Sequence, residues 1–364
     1  MTPDLDDVPE AAAPEPPTRP RHRALRAAGR TLALVVAAVV VLASGVAWWT
    51  VDRVDSSIAQ RSVDALAPDD PNIRTVPAAG GATGTGTAEN ILILGLDTRP
   101  ADQVAPGAGT SQSDVMMIAH VSASRQRVDL VSIPRDLLIP APTCKAWDYS
   151  SNSLSDRDFD NPYAQWKITN AYAVGGPACT VKAVQALTGL RIDRLVVVQF
   201  AGFASVVDAM GGLTMTFDGP VVDNGRTIIA RGGTQLIDGD QALALARARR
   251  VAGDPTGDLG RIGRQQQLLA AMLAQVSSGG LITDPARLNR VLQTVIDNSA
   301  TDNVTVADLM DLALSVKGSE SSVVHDFTLP TVPDTDTDGL LAAATMPAYL
   351  DALVADQPLP GASE

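Results

Sequence analysis

A nearly uncharged apolar run, TLALVVAAVVVLASGVAWW at 31–49, is the feature that most constrains how this chain can fold. A helix over these residues, at about 1.5 Å of rise per residue, is long enough to cross a bilayer once. Trp48 and Trp49 stand at its far end, where interfacial aromatic residues are common. Five arginines within residues 1–30 predict a cytoplasmic N-terminus, so the chain after the span faces outward. The alternative is a cleaved signal peptide, although both the apolar run and the segment before it are long for one.

This span divides the chain into five predicted segments. Residues 1–30 form a cytoplasmic tail, 31–49 a transmembrane helix, and 50–88 a juxtamembrane segment and linker. A folded domain occupies 89–330, and a Pro/Asp/Ala-rich tail that is only partly ordered occupies 331–364. We therefore expect a single-pass protein of the cell membrane with an extracellular domain.

Three apolar strands in the first part of this domain each carry charged residues at one end. ILILGLD ends at Asp97, SDVMMIAHVS begins with Ser113 and Asp114, and RVDLVSIPRDL ends at Arg135 and Asp136. Open α/β sheets gather their sites at such strand ends. Strands and helices then mix without clean βαβ alternation, which predicts an α/β fold with a mixed sheet covered by helices on both faces. The polar stretch at 141–166 is predicted to be a long surface loop.

The stretch LARARRVAGDPTGDLGRIGRQQQ at 245–267 concentrates positive charge in a chain of net charge −13. Asp258 is predicted to cap a helix, which places Arg261 and Arg264 in the first turns, where the helix dipole disfavours cations. A bound anion relieves this conflict, and the guanidinium fork matches phosphate oxygens. The alternative is a pair of solvated basic helix ends. The arginines of the stretch are Arg247, Arg249, Arg250, Arg261 and Arg264.

Asp97 and Asp114 at neighbouring strand ends are candidate ligands for Mg²⁺, which prefers one or two carboxylates together with phosphate oxygens. Arginines beside such a metal are typical of phosphoryl-transfer sites, where they stabilise charge on the phosphate. A Ser-His-Asp triad is disfavoured because there is no G-x-S-x-G elbow, and we expect His120 and His325 to be structural. The acidic balance also argues against nucleic acid as a partner.

The two cysteines, Cys144 and Cys179, fit no zinc-ligand spacing. In a reducing compartment they would be two buried thiols, whereas outside the cytoplasm a disulfide is the default. Because the domain is expected to face outward, we predict a Cys144–Cys179 bridge. It would stabilise the fold by roughly 3–4 kcal/mol in the chain-entropy model.

Several motifs together resemble the LytR-CpsA-Psr family. The resemblance covers roughly residues 89–329. The motifs are NILILGLDTR at 90–99, VSIPRD at 131–136, KITNAYAVGG at 167–176, LTGLRIDRLVVVQFAGFASVVDAMGGL at 187–213, and RAR with GDLGRIGRQQ between 247 and 266.

The resemblance implies a phosphotransferase of Gram-positive cell-wall assembly. The donor would be a glycan on polyprenyl pyrophosphate, and the acceptor would be the C6 hydroxyl of N-acetylmuramic acid in peptidoglycan. The implied fold is a three-layer α/β/α sandwich, with the lipid in an apolar groove between sheet and helices. The polymer stays open among teichoic acid, arabinogalactan and capsular polysaccharide, with an actinobacterial envelope favoured.

The resemblance also assigns roles residue by residue. Asp97 and Asp114 would hold Mg²⁺, with Mn²⁺ as the alternative metal, and Asp114 is the candidate base for the acceptor hydroxyl. Arg99 and Asp258 would line the same site. The residues expected to hold the pyrophosphate are Arg135, Arg247, Arg249, Arg261, Arg264 and Gln265; of these, Arg135, Arg249 and Arg261 are also assigned to catalysis together with Asp114.

Three positions depart from the family pattern. Gln112 replaces an arginine that usually stands two residues before the second aspartate, which removes one positive charge, and Val115 replaces a threonine. Thr169 stands where asparagine is usual, with Asn170 next. Two alternative functions stay open: a membrane-anchored binding or regulatory module without catalysis, and a polyprenyl-pyrophosphate hydrolase.

Overall fold

The computed structural model describes residues 52–53, 55–56, 65–66, 87–97, 113–149, 153–159, 163–254, 258–277, 284–305 and 323–361. The predicted membrane span at 31–49, Arg99 and Gln112 lie outside these ranges. Within the ranges, no helix combines the length and hydrophobicity that crossing a bilayer requires.

The described residues form sixteen strands and six longer helices. In chain order the strands are β1 (Glu89–Leu96), β2 (Ser113–Val121), β3 (Arg127–Ser132), β4 (Leu138–Pro140), β5 (Lys145–Asp148), β6 (Ser153–Asp158), β7 (Gln165–Lys167), β8 (Arg194–Gln199), β9 (Leu213–Phe217), β10 (Val221–Asp223), β11 (Arg226–Ile229), β12 (Gly233–Ile237), β13 (Ser299–Asp302), β14 (Val323–Thr328), β15 (Thr331–Pro333) and β16 (Leu340–Ala342). The helices are α1 (Asn170–Thr188), α2 (Phe200–Ala209), α3 (Gly239–Arg247), α4 (Asp258–Ser277), α5 (Pro285–Asn298) and α6 (Met346–Val354).

The central sheet is mixed, as the sequence predicts. Its six strands stand in the order β13-β8-β1-β2-β3-β14. β1 pairs parallel with β8 and β3 parallel with β14, whereas β1–β2, β2–β3 and β8–β13 are antiparallel. Since β1 and β2 run in opposite directions, the end of β1 lies beside the beginning of β2.

Helices pack on both faces of this sheet, because alternate side chains of each strand point to opposite sides. Leu92 and Leu94 of β1 belong to a core cluster that also contains Val184 of α1 and Leu353 of α6. Ile91 belongs to a second cluster on the other face, with partly buried leucines of α4 packed against it. A third cluster joins α2, α3 and α5 to the small β9–β12 sheet.

Residues 331–361 are ordered in the structure, although the composition of 331–364 led us to predict only partial order. It forms β15, β16 and α6, and Met346, Leu353 and Leu359 are buried in the main core. Asp356 fixes its end to the sheet, accepting a hydrogen bond from Arg127 at 2.8 Å. His120, which is fully buried, joins Asp356 at 3.1 Å and Asn90 at 2.7 Å. These contacts give His120 the structural role that the sequence predicts.

The region at 141–166 also has more structure than the predicted surface loop. β4 pairs with β7, and β5 pairs with β6. Trp147 and Trp166 are buried there in the main core, which explains why the segment folds back instead of extending into solvent. Next to it, α1 begins at Asn170 and is interrupted at Gly175 and Gly176.

Candidate active site

Asp97 and Asp114 lie at adjacent ends of β1 and β2, as predicted. Leu96 pairs with Ser113 beyond a bulge. Asp97 directly follows Leu96 and Asp114 directly follows Ser113, so both aspartates lie beside this pair. Gly95 permits this close packing, because a Cβ there would lie 2.8 Å from the Cβ of Val115. Substitution at Gly95 would therefore force the two strand ends apart.

Three arginines converge on the carboxylate of Asp114. Its Oδ1 accepts a hydrogen bond from Nη1 of Arg135, lies 3.3 Å from Nη2 of Arg249, and lies 3.7 Å from Nη1 of Arg261. Asp114 is 8% exposed and Arg261 only 2%. The sequence brings these charges together from three separate motifs, and the structure places them around one oxygen atom.

Arg247 forms a second pair with the other aspartate. Its Nη2 donates to Oδ1 of Asp97 at 2.6 Å, and its guanidinium carbon lies 5.4 Å from the ring centroid of Phe200. A guanidinium over an aromatic face is held by cation–π attraction, so Arg247 has a fixed position despite its exposure.

Positive charge dominates the immediate surroundings of the Asp114 carboxylate. Within the described ranges, three guanidinium groups contact its Oδ1, one from each of Arg135, Arg249 and Arg261. The Arg247–Asp97 pair adds no net charge. A site of this kind attracts a compact dianion, and a pyrophosphate substituted at both ends carries that charge.

Asp223 positions the backbone of the arginine segment, a role that could not be predicted from the sequence pattern. Its Oδ1 accepts the backbone N–H of Arg249 at 3.0 Å and of Arg250 at 2.6 Å. It ends β10, one strand of a tight hairpin whose turn residues Asn224 and Gly225 both have positive φ, as a type I′ turn requires. The hairpin is therefore a rigid support for Arg249.

Arg135 is supported from the side away from Asp114. Its Nε lies 3.4 Å from Oδ2 of Asp136, and Asp136 in turn lies 3.2 Å from Nζ of Lys167. Asp338 holds the same Lys167 ammonium at 2.9 Å. Burial lowers the pKa of Lys167, but its hydrogen bonds to Asp338 and Asp136 outweigh this effect and raise the pKa overall. Lys167 therefore stays charged and keeps Asp136 in place.

The structure does not bring every predicted residue to the cluster. Arg264 donates to Asp254 at 2.7 Å and to the carbonyl of Ala248 at 2.7 Å, so its contacts tie α4 to the loop before it. Gln265 donates to the carbonyl of Ala246 at 2.9 Å and lines the apolar cavity described next. Asp258 is the first residue of α4.

Gln266 is a further residue that the sequence did not single out. Its amide donates to Oγ of Ser132 at 3.0 Å and to the carbonyl of Phe327 at 2.9 Å, and its side chain is buried. It thereby joins α4 to the ends of β3 and β14. A glutamine within the run QQQ carries no sequence signal that separates this role from solvent exposure.

An apolar cavity of about 310 Å³ begins beside the arginines. It lies between one face of the sheet and helices α2, α4 and α5, with Ile93, Val196, Phe203, Leu269 and Val295 among its walls. Phe200, which lies under Arg247, and Gln265 of α4 also line it. An apolar chain in this cavity would thus have its polar end next to the arginine cluster.

The two aspartates suit a magnesium ion by their chemistry. Among the residues the structure describes, no group of three or more His, Cys, Asp or Glu side chains is placed to hold a metal. Magnesium needs only one or two carboxylates when phosphate oxygens complete its shell. The arginines contact Oδ1 of both Asp97 and Asp114, and Oδ2 of each has no hydrogen bond within the described ranges.

Cys144 and Cys179 are joined by a disulfide, with their Cα atoms 5.6 Å apart. The bond links the segment before β5 to α1. Both cysteines also line a separate cavity at the β5–β6 hairpin. It is therefore part of the scaffold and does not contact the arginine cluster.

Known proteins share this sequence pattern and fold. The LytR_cpsA_psr family matches residues 56–351. The probable cell wall biosynthesis protein LcpB of Corynebacterium glutamicum is 29% identical over 255 residues, which cover 68% of this chain and 56% of LcpB. The polyisoprenyl-teichoic acid–peptidoglycan teichoic acid transferase TagU of Halalkalibacterium halodurans is 28% identical over 234 residues, covering 64% of this chain and 67% of TagU.

A solved structure of TagT bound to LIIa-WTA matches with a TM-score of 0.55 and 21% identity, covering 80% of this chain and 96% of that one. At this identity the likeness establishes the shared fold. The chain spans little more than half the length of LcpB.

Proposed function

Because the chain belongs to the LytR-CpsA-Psr family, we propose that it is a cell-wall glycopolymer transferase. In finer detail, it moves a glycopolymer with one phosphate from a polyprenyl-pyrophosphate carrier to the C6 hydroxyl of N-acetylmuramic acid in peptidoglycan. The observation that carries this proposal is the cluster of Arg135, Arg249 and Arg261 around Asp114, next to an apolar cavity.

The pairing of a charged cluster with an apolar cavity fits an amphipathic donor. The three guanidinium groups around Asp114 suit a doubly substituted pyrophosphate, because charge-assisted Arg–phosphate hydrogen bonds are among the strong ones. The cavity would take the part of the polyprenyl chain nearest the pyrophosphate. TagU is named as a teichoic acid transferase acting from a polyisoprenyl carrier to peptidoglycan, which supports this class of substrate.

The chemical step exchanges one phosphoester bond for another. The acceptor hydroxyl oxygen attacks the phosphorus that bears the glycan, the new O–P bond forms, and the P–O bond to the polyprenyl phosphate breaks. The hydroxyl proton passes to the carboxylate of Asp114, and polyprenyl monophosphate leaves. Positioning and charge stabilisation supply most of the acceleration in such reactions, and the three arginines provide both.

Asp97 and Asp114 are the residues that would hold Mg²⁺. When bound, the ion neutralises charge on the phosphate oxygens. The remaining work belongs to the protein's own groups: Arg247 holds the Asp97 carboxylate in place, and Arg135 and Arg261 grip the pyrophosphate.

The predicted topology places this chemistry on the outer side of the membrane. With the span at 31–49 and the positive residues before it, the catalytic domain faces the outer leaflet, where the donor lipid would present its pyrophosphate. This topology stays a prediction, which protease protection of intact cells would test.

The test of the proposal is a transfer assay with the purified full-length chain in detergent. We would add Mg²⁺, a short glycan on polyprenyl pyrophosphate and a peptidoglycan fragment, and look by mass spectrometry for glycan joined to the fragment through one phosphate. We expect this product from the wild type and a loss of about 10²–10³-fold in Arg135→Ala, as when one charge-stabilising donor is removed.

Arg125→Ala is the matched control for that variant. Arg125 also pairs with a carboxylate, Glu89, but at the opposite end of β1. Its loss should leave transfer unchanged. Release of glycan phosphate without transfer would indicate a hydrolase, and tight lipid binding without turnover would indicate a binding module; either result contradicts the proposal.

A further inference from the structure

A second cavity lies next to the arginine cluster and has a different character from the apolar one. Its volume is about 320 Å³. Asp223 and Arg226 of the β10–β11 hairpin and Asp240 and Arg247 of α3 supply its charged walls, and Ile228 and Leu243 line it with apolar surface. Arg247 connects the two cavities, since it lines this one and stacks on Phe200 of the other.

The charged walls of this cavity do not favour an anion, in contrast to the surroundings of Asp114. Arg247 is already paired with Asp97, so the two carboxylates of Asp223 and Asp240 face the single guanidinium of Arg226. Carboxylates accept hydrogen bonds from hydroxyl groups, and guanidinium groups donate to hydroxyl, ring and amide oxygens. An apolar wall beside such groups suits a ligand with one hydrophobic face. A pyranose ring has this combination of hydroxyl edges and a C–H face.

The polar groups of the cavity have capacity left for a ligand. Arg226 and Asp240 are exposed, and neither side chain forms a hydrogen bond or ion pair with another residue in the described ranges. Asp223 uses Oδ1 for the amides of Arg249 and Arg250, and its Oδ2 makes no hydrogen bond to any of the described residues.

We propose that the cavity between α3 and the β10–β11 hairpin binds a neutral sugar ring during transfer. The inference rests on the proposed function and extends it. Arg247 joins the cavity to the pyrophosphate site. The ring is therefore either the sugar attached to the transferring phosphate or the sugar whose hydroxyl attacks that phosphate. The donor glycan and the peptidoglycan acceptor both offer such a ring, and the experiment separates them.

The first measurement is equilibrium binding of two lipids to the full-length chain in detergent. One is polyprenyl pyrophosphate capped with a methyl group; the other carries one N-acetylhexosamine in its place, so both have the same charge. If the cavity holds the donor sugar, the wild type binds the glycosylated lipid about tenfold more tightly, as expected for one or two charge-assisted hydrogen bonds. Arg226→Ala and Asp240→Asn lose this preference and keep the affinity for the methyl-capped lipid.

Arg231→Ala is the matched control. Arg231 is an exposed arginine between β11 and β12 and does not line the cavity. It should keep the wild-type preference. Thermal unfolding of each variant checks that the fold is unchanged.

The second measurement is the concentration of peptidoglycan fragment at half-maximal transfer. If lipid preference is unaffected but Arg226→Ala and Asp240→Asn raise this concentration about tenfold, the cavity holds the acceptor sugar and the proposal stands. If neither quantity changes in either variant, the proposal is overturned. If the wild type binds neither lipid, the proposed function itself is overturned. That result differs from one in which the wild type and both variants transfer normally, which overturns only the proposal for the cavity.

Discussion

Removing the carboxylate of Asp114 should destabilise the empty protein and strengthen its response to pyrophosphate. In the structure Asp114 is the shared partner of Arg135, Arg249 and Arg261. Asp114→Ala leaves these guanidinium groups close to one another without the carboxylate that they share. A pyrophosphate ion can supply negative charge in its place, so the stability defect should be reversed by ligand.

The magnitude follows from burial. Removing one partner of a buried ion pair costs about 3–5 kcal/mol. Arg249 has a side chain 42% exposed, and Arg135 keeps its contact with Asp136, so we expect the lower end of this range. A loss of about 3 kcal/mol corresponds to a fall in Tm of roughly 6–12 °C for a domain of this size.

The response to anion should change in the opposite direction. The substitution removes one negative charge from the cluster, so we expect the affinity for pyrophosphate to rise about tenfold, which is about 1.4 kcal/mol. Under saturating pyrophosphate, linkage converts that gain into a Tm increase roughly 3–5 °C larger than the wild-type increase.

Differential scanning fluorimetry with EDTA present, with and without sodium pyrophosphate, measures both effects. Glu89→Ala is the control, because Glu89 also pairs with two arginines, Arg125 and Arg194, but at the other end of β1. It should lower Tm and respond to pyrophosphate as the wild type does. Equal pyrophosphate shifts in Asp114→Ala and the wild type would refute the reasoning, since Asp114 would then not compete with an anion.

Three further predictions concern the cavity, the disulfide and the C-terminal segment. Leu269→Trp places an indole in the apolar cavity and should raise the KM for the polyprenyl-linked donor at least about tenfold. The increase in Tm caused by pyrophosphate should stay unchanged. A KM equal to that of the wild type would contradict the cavity's role. Reducing the Cys144–Cys179 bond, which spans 35 residues, should lower the free energy of unfolding by about 3–4 kcal/mol. Urea unfolding with and without reductant measures this loss. The variant with serine at both positions should not respond to reductant. Burial raises the pKa of Asp356, but hydrogen bonds, chiefly from His120, outweigh it and lower the pKa, so its stabilisation is present above about pH 4 and is lost on further acidification. Asp356→Asn should therefore be less stable at pH 7 and lose less stability between pH 5 and 3; a parallel pH profile would count against this.

The sheet could be predicted from the sequence because its strands are unbroken apolar runs. β1, β2 and β3 bury side chains on both faces, so each reads as a nearly continuous hydrophobic segment with a charged end. The C-terminal segment could not be predicted in the same way. Its buried residues Met346, Leu353 and Leu359 are far apart in a run of Ala, Asp and Pro, and their burial depends on a core formed by the rest of the domain.

Part of the site could likewise be predicted from the sequence, and part could not. Arginines in the first turns of a helix are visible in sequence because they oppose the helix dipole. The sequence treats Arg261 and Arg264 alike, because residues three apart are neighbours on one helix face. Arg261 reaches Asp114, whereas Asp254, in the loop before the helix, captures Arg264. The choice between them depends on where that loop folds.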